Sequence, residues 1–159
     1  SRNLALIDRG ANGFVFGDDV REINDTGRRV DVSGFDNHQQ TDMRIITAGG
    51  VTMTQAGPVI LVMNQGALHG RGKTILSAAQ MESFGVAISD RHRKYGGLQC
   101  IIAPGGYVLP ITMRNSLPYI RLRPYTDDEW ESLPHVLISS DEEWDPADYD
   151  FDPVNDQAD

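Results

Sequence analysis

The chain is poor in the residues that build disulfides, thiolate metal sites and membrane spans. Cys100 is the only cysteine among 159 residues, which excludes an internal disulfide and a zinc site made of cysteine pairs. No apolar run approaches the ~20 residues of a membrane-spanning helix. The first residues, Ser1-Arg2-Asn3, have neither an initiator Met nor the apolar core of a signal peptide. We therefore expect an intracellular, cytoplasmic protein, excised from a longer chain, that crosses no membrane.

Basic residues are missing from one end of the chain. Residues 127–159 hold 13 acidic side chains and no Lys or Arg, so the net charge of −9 arises there. Residues 1–126 hold all 14 Lys and Arg against 10 acids, a mildly basic balance that is too scattered to predict nucleic-acid binding. We predict a folded domain over residues 1–125. Residues 126–159 are predicted to be an acidic linker or tail with a short helix that begins at Thr126.

Long helical periodicity is also scarce, whereas 16 glycines and 8 prolines divide the chain into short apolar runs. This pattern predicts an all-β fold. One short helix is predicted over Ala78–Phe84, with Ser77 as its cap and Gly85 as its end. Three strands between residues 98 and 122 are predicted to form a meander at the end of a barrel.

The strongest chemical signal is an aspartate at the end of an apolar strand. Leu4-Ala5-Leu6-Ile7 leads directly into Asp8-Arg9-Gly10-Ala11-Asn12. Small residues after a carboxylate allow close backbone packing that fixes its position. Two such carboxylates that share a proton can activate water, one acting as a base while the other polarises a peptide carbonyl. Taken alone, an Asp in a turn before Gly is common and need not be catalytic.

A second segment, Thr74 to Val86, adds to this signal. With the Asp8–Asn12 motif it resembles the protease region of copia-type retrotransposon polyproteins, a branch of the retropepsin-like aspartic proteases. The family carries Asp-Ser/Thr-Gly-Ala at the first motif. Residues Thr74-Ile75-Leu76-Ser77-Ala78-Ala79-Gln80 look like its Asn-Leu-Leu-Ser-x-x-Gln pattern, and the 67 positions from Asp8 to Ile75 are close to what the family fold needs between the two elements. The resemblance covers residues 4–123.

The resemblance implies a retropepsin-like acid-protease β-barrel in which Asp8 is catalytic. Only one Asp-x-Gly-Ala motif is present, so a symmetric homodimer would supply the second Asp8. Substrate peptides of the polyprotein would be the other partner, and virus-like particles the setting. Gly10, Ala11 and Asn12 would shape the substrate loop, and Gly49-Gly50 would form the tip of a flap hairpin over it. Arg9, Ile75, Leu76 and Ser77 would shape the site, and neither a cofactor nor a metal is implied.

Arg9 departs from the family pattern. It stands where the family has a small hydroxyl residue that hydrogen-bonds across the dimer, and Arg cannot accept a hydrogen bond. We expect it to pair with Asp8 or with the acidic tail and hold Asp8 ionised. A fully ionised pair would be a poor acid–base catalyst, which makes a catalytically inactive barrel the alternative: a binding or spacer module of the polyprotein.

Two other sequence features are weaker evidence for a function. Gly70-Arg71-Gly72-Lys73-Thr74 imitates the end of a phosphate-binding loop, but Ala67 stands where that pattern requires Gly. The four histidines are far apart in sequence and lie near no cysteine pair, so a metal site is not predicted.

Overall fold

A computed structural model describes residues 3–35, 38–90 and 99–148 of the chain, and most of these residues lie in strands. The predicted all-β class is confirmed. Twelve strands, two α-helices and one short 3₁₀ helix follow one another within the described residues. Their bounds are β1 Leu4–Asp8, β2 Phe14–Phe16, β3 Arg21–Phe35, β4 His38–Thr54, β5 Gly57–Leu68, β6 Ile75–Ser77, α1 Ala78–Ser83, β7 Ala87–Ser89, β8 Cys100–Ile102, β9 Val108–Pro110, β10 Thr112–Arg114, β11 Leu117–Arg121, α2 Asp127–Ser132, β12 His135–Leu137 and the 3₁₀ helix Pro146–Asp148.

Nine of the strands form one sheet in the order β10-β11-β1-β6-β2-β5-β4-β3, with β12 paired to β5. The remaining strands, β7, β8 and β9, form a second sheet. Strand β6 lies between β1 and β2, parallel to β1 and antiparallel to β2. This inserted position brings the two motifs of the sequence into direct contact.

The large sheet curls but does not close. A single bridge joins Val51 of β4 to Arg123, just after β11. Among the described residues no ladder of strand pairs completes a barrel. A closed barrel is therefore not found among the described residues, and only the β-rich class of the expected fold is confirmed.

The predicted three-strand meander is wrong. Strands β8 and β9 pair with each other in the small sheet, whereas β10 and β11 pair in the large sheet. The chain changes sheet at the buried residue Ile111, where its amide donates to the carbonyl of Gln99 (2.9 Å). The segment that contains β9 and β10 has the pattern of a single strand, because the break between the two strands lies at the apolar residue Ile111.

Both predicted helices are present. In α1 the Ser77 hydroxyl accepts from the Gln80 amide (3.2 Å), and Gly85 follows the helix with a positive φ of 92°. In α2 Thr126 and Glu129 form a reciprocal capping box. Local side-chain chemistry sets both helix starts.

The predicted boundary at residue 125 is wrong. Strand β12 pairs in parallel with β5 over Ile60–Val62, and the adjacent Val136 and Ile138 are buried in the main core. Residues 126–148 therefore belong to the same structural unit as the sheet. The largest fully buried side chains of the described residues are Phe14, Phe16, Ile46, Ile60, Leu61, Met63, Leu76, Met81, Ile101, Leu109, Ile120 and Leu122, and all but Ile60 lie in that core.

Candidate functional site

Asp8 is the last residue of β1 and lies directly beside Ser77 of β6. Its side chain is half-buried, and its Oδ1 accepts a hydrogen bond from the Gly10 amide (2.8 Å). A Cβ at Gly10 would lie 3.3 Å from that same oxygen. The tight turn after β1 therefore holds the carboxylate in one orientation.

Ser77 connects this turn to the helix that follows β6. Its hydroxyl donates to the Ala11 carbonyl (2.8 Å) while accepting from the Gln80 amide. Ser77 and Leu76 are fully buried, and Ile75 is half-buried at the edge of a cleft. Three of the four predicted site-shaping residues thus lie under and beside the Asp8 turn, and the fourth, Arg9, lies within the turn itself.

Gln80 was not singled out by the sequence analysis, although it lies inside the motif. Its Oε1 accepts from the Phe14 amide (2.9 Å), and its Nε2 donates to the carbonyls of Asn64 (3.2 Å) and Gln65 (2.9 Å). One buried amide therefore joins α1, β2 and β5. Its role could have been suspected from the sequence, because Gln80 is a polar residue three positions after the helix cap Ser77 on an otherwise apolar helix face.

Thr74 and Asp19 form a second buried polar contact behind β6. The Thr74 hydroxyl donates to Asp19 Oδ1 and accepts from the Gly17 amide, and the Thr74 amide donates to Asp19 Oδ2 (3.2 Å). Burial raises the pKa of the Asp19 carboxyl, and the hydrogen bonds from Thr74 offset part of that rise. Because the Leu6 amide donates to the Thr74 carbonyl (3.0 Å), this contact also fixes β1.

A cleft of about 440 Å³ opens beside Asp8. Gly10, Ala11 and Asn12 of the predicted substrate loop lie along it. Its apolar wall comes from five strands, β2 to β6, and consists of Val15, Val30, Val32, Ile45, Ala67 and Ile75. Arg28, Asp31 and Gln65 add polar groups to the lining, and a concave site of this kind with a carboxylate at its edge is a candidate ligand-binding site.

The prediction that Gly49-Gly50 forms a flap tip is wrong. Both glycines are buried inside β4, paired with Val62 and Leu61 of β5. A Cβ at Gly50 would lie 2.6 Å from Leu122 Cδ1. The glycines permit close packing of strands here and provide no turn.

The β4–β5 hairpin turns at Gln55 and Ala56, and its end is fixed rather than free. The Gln55 side chain accepts from the Val108 amide (2.7 Å) and donates to the Gly106 carbonyl (3.0 Å). The hairpin beside the cleft is instead β3–β4, which contributes Val30, Asp31 and Val32 to the lining. Its strands pair out to Phe35 and His38, and the connecting residues 36 and 37 lie outside the described part of the chain.

Arg9 does not pair with Asp8. Its guanidinium contacts Asp90 (Nε to Oδ2, 3.2 Å) and Glu82 (NH1 to Oε1, 3.4 Å). Among the described residues, which include the acidic tail only as far as residue 148, the partners of Arg9 are these two carboxylates, at the end of α1 and after β7. All three side chains are partly exposed, so the pairs contribute little stability but do neutralise the Arg9 charge locally.

Part of the predicted acidic tail lies against the cleft. We call residues 139–146 the C-terminal strap. Trp144 Nε1 donates to the Asn12 carbonyl (2.6 Å), Glu143 forms an ion pair with Arg28 (3.1 Å), and the Asp141 carbonyl accepts from Gln65 (3.2 Å). The overall acidity of the segment hid its anchoring residues from the sequence analysis.

Two negative findings apply to the described residues only. No group of three or more His, Cys, Asp or Glu side chains is placed to hold a metal ion. No helix within the described ranges has both the length and the hydropathy needed to cross a bilayer.

The chain was compared with known proteins at three levels. No family model, no curated protein and no solved structure matches it. Its function is therefore argued from the sequence resemblance and from the geometry around Asp8.

Proposed function

We propose that the chain is a retropepsin-like aspartic endopeptidase that cuts peptide bonds of its own retrotransposon polyprotein. Asp8 from each subunit of a homodimer holds the nucleophilic water and shares one proton with its counterpart. One carboxylate removes a proton from the water, while the protonated one donates to the peptide carbonyl oxygen.

One observation carries the proposal: the two motifs that resemble the family, with 67 positions from Asp8 to Ile75, meet at the cleft. Asp8 at the end of β1 is in register with Ser77 at the end of β6, and α1 begins immediately afterwards. The apolar cleft next to Asp8 supports binding of an extended peptide. Hairpin β3–β4, which lines this cleft, is the element suited to cover a substrate.

The ion pairs of Arg9 also bear on the proposal. The sequence raised the concern that Arg9 would hold Asp8 permanently ionised. Because Arg9 is paired with Glu82 and Asp90, its charge is compensated away from Asp8. Proton sharing between two Asp8 side chains then remains chemically accessible.

The test is cleavage of a fusion that carries the 159-residue chain between two reporter domains, from pH 4 to pH 7. We expect a bell-shaped pH profile for the wild type and loss of cleavage in Asp8→Asn, which keeps the size of the side chain. Asp18→Asn, an exposed aspartate outside the cleft, is the matched control and should retain cleavage. Cleavage that persists in Asp8→Asn would rule out the aspartic mechanism.

A non-catalytic peptide-binding module is the second candidate. It is favoured by Arg9 itself, which stands beside Asp8 and cannot accept the hydrogen bond that the family's hydroxyl makes across the dimer. In that case light scattering should give a monomer, and neither the wild type nor Asp8→Asn should cut the fusion. A dimer with Asp8-dependent cleavage would exclude it.

A further inference from the structure

The C-terminal strap is built into the side of the cleft. It is anchored at three points: Ser139 is fully buried and its hydroxyl donates to the Asn64 carbonyl (2.8 Å), Gln65 holds the Asp141 carbonyl, and Asn12 holds the Trp144 indole. The Glu143–Arg28 ion pair adds a contact to the β3–β4 hairpin. The strap therefore joins the Asp8 loop, β5 and the hairpin, which are three of the elements that line the cleft.

The strap is a wall of the cleft and does not fill it. With the strap in place, about 440 Å³ remains open, and this space is lined by Trp144 and Pro146 together with Asp8. A strap that acted as an inhibitory plug would occupy the space next to the carboxylate. Trp144 instead faces the same volume that the apolar strand residues face.

The position of the indole is fixed. Its Nε1–H is hydrogen-bonded to the Asn12 carbonyl at 2.6 Å. A Cβ at Gly13 would lie 3.4 Å from Trp144 Cδ1, so the ring packs directly on the backbone that follows Asn12. A tryptophan whose polar atom is satisfied by the protein presents its apolar surface to a ligand at little entropic cost.

We propose that Trp144 is a specificity-determining residue of the peptide-binding cleft and selects an apolar side chain of the bound peptide. The proposal rests on the proposed function only in that the cleft binds peptides. The indole supplies aromatic contact area, and Val15, Ile45 and Ile75 supply the aliphatic part of the same lining. A peptide with a polar or missing side chain at this position leaves the lining uncovered and binds more weakly.

The test measures binding rather than cleavage. Two octapeptides, identical except for a central Leu-Phe or Ser-Gly pair, are titrated by calorimetry into the full chain carrying Asp8→Asn, so that neither is cut. We expect the Leu-Phe peptide to bind more tightly, and Trp144→Ala to reduce the ratio of the two affinities about tenfold. Trp144→Phe keeps an aromatic ring and should retain most of the ratio. In a Trp130→Phe background, Trp144 is the remaining tryptophan, and its emission should change on binding.

The ratio separates specificity from damage to the fold, because loss of structure weakens both peptides alike. An unchanged ratio in Trp144→Ala, or no binding of the Leu-Phe peptide to the parent protein, overturns the proposal. The separate cleavage assay reports on the enzyme. Trp144-dependent binding without Asp8-dependent cleavage would uphold the selective cleft and count against the endopeptidase alone.

Discussion

At the scale of single residues, buried polar side chains hold the site together. No buried side-chain nitrogen or oxygen within the described ranges lacks a hydrogen-bond partner, which is typical of a well-packed native core. Ser77, Gln80 and the Thr74–Asp19 contact each join segments distant in sequence. Sequence patterns indicated Ser77 because a helix cap is a local feature, but partners more than fifty positions away leave no local trace.

The Thr74–Asp19 contact gives the first prediction. Thr74→Val removes the hydroxyl and keeps the shape of the side chain, so Asp19 Oδ1 and the Gly17 amide lose a buried partner. We expect a loss of about 2–4 kcal/mol in the free energy of unfolding at pH 7, measured with urea. Thr74→Ser, which keeps the hydroxyl, should lose far less.

The pH dependence of this loss follows from the pKa of Asp19. Burial raises that pKa in the folded protein above its ordinary value of 3.8. The folded state therefore binds the proton more tightly than the unfolded state does. The free energy of unfolding consequently falls as pH rises through the folded pKa. The valine variant loses a hydrogen bond that lowers the pKa, so its folded pKa rises further. Its deficit should be largest near neutral pH and shrink as pH falls towards 4. A deficit that grows on acidification would contradict this account.

At the scale of secondary-structure elements, the sequence predicts what local chemistry decides. Helices α1 and α2 were predicted at their caps, and β1 at its apolar run. Gly49-Gly50 was misread because paired glycines are typical of turns, whereas here they let β4 pass close to Leu122 and Tyr125. Only the packing of a distant segment distinguishes the two uses of glycine.

The packing of Gly50 gives the next prediction. A methyl group at this position would lie 2.6 Å from Leu122 Cδ1 and 2.8 Å from its Cγ, so Gly50→Ala should lower the free energy of unfolding by about 1–3 kcal/mol. Met53→Ala lies on the same strand at a side chain that is 55% exposed and should change stability by less than about 0.5 kcal/mol. Reduced cleavage in Gly50→Ala at unchanged stability would restore the flap interpretation.

At the scale of the whole molecule, the fold depends on pairings between strands that are far apart in the sequence. Strand β6 lies between β1 and β2 although β3, β4 and β5 come before it in the chain. Strand β12, the last strand, pairs with β5. Through the resemblance, the sequence predicted that Ile75, Leu76 and Ser77 shape the site of Asp8, but it did not predict which strands β6 pairs with. The pairing of β12 was missed because the acidic composition of residues 126–159 outweighed the few apolar residues that anchor them.

The contribution of β12 can be measured by truncation. A chain that ends at residue 125 loses Val136 and Ile138, which are 4% and 0% exposed, and uncovers Ile60 and Leu61 of β5. Burial of two such aliphatic side chains is worth roughly 3–6 kcal/mol, a large part of the 5–15 kcal/mol that typically stabilises a domain. We therefore expect chain 1–125 to be unfolded or to melt far below the full chain in calorimetry. Chain 1–148 keeps every contact named here and should fold. If chain 1–125 instead melts at the same temperature as chain 1–148, the segment after residue 125 is not needed for the fold. The interpretation of β12 and the strap as parts of the fold would then be wrong.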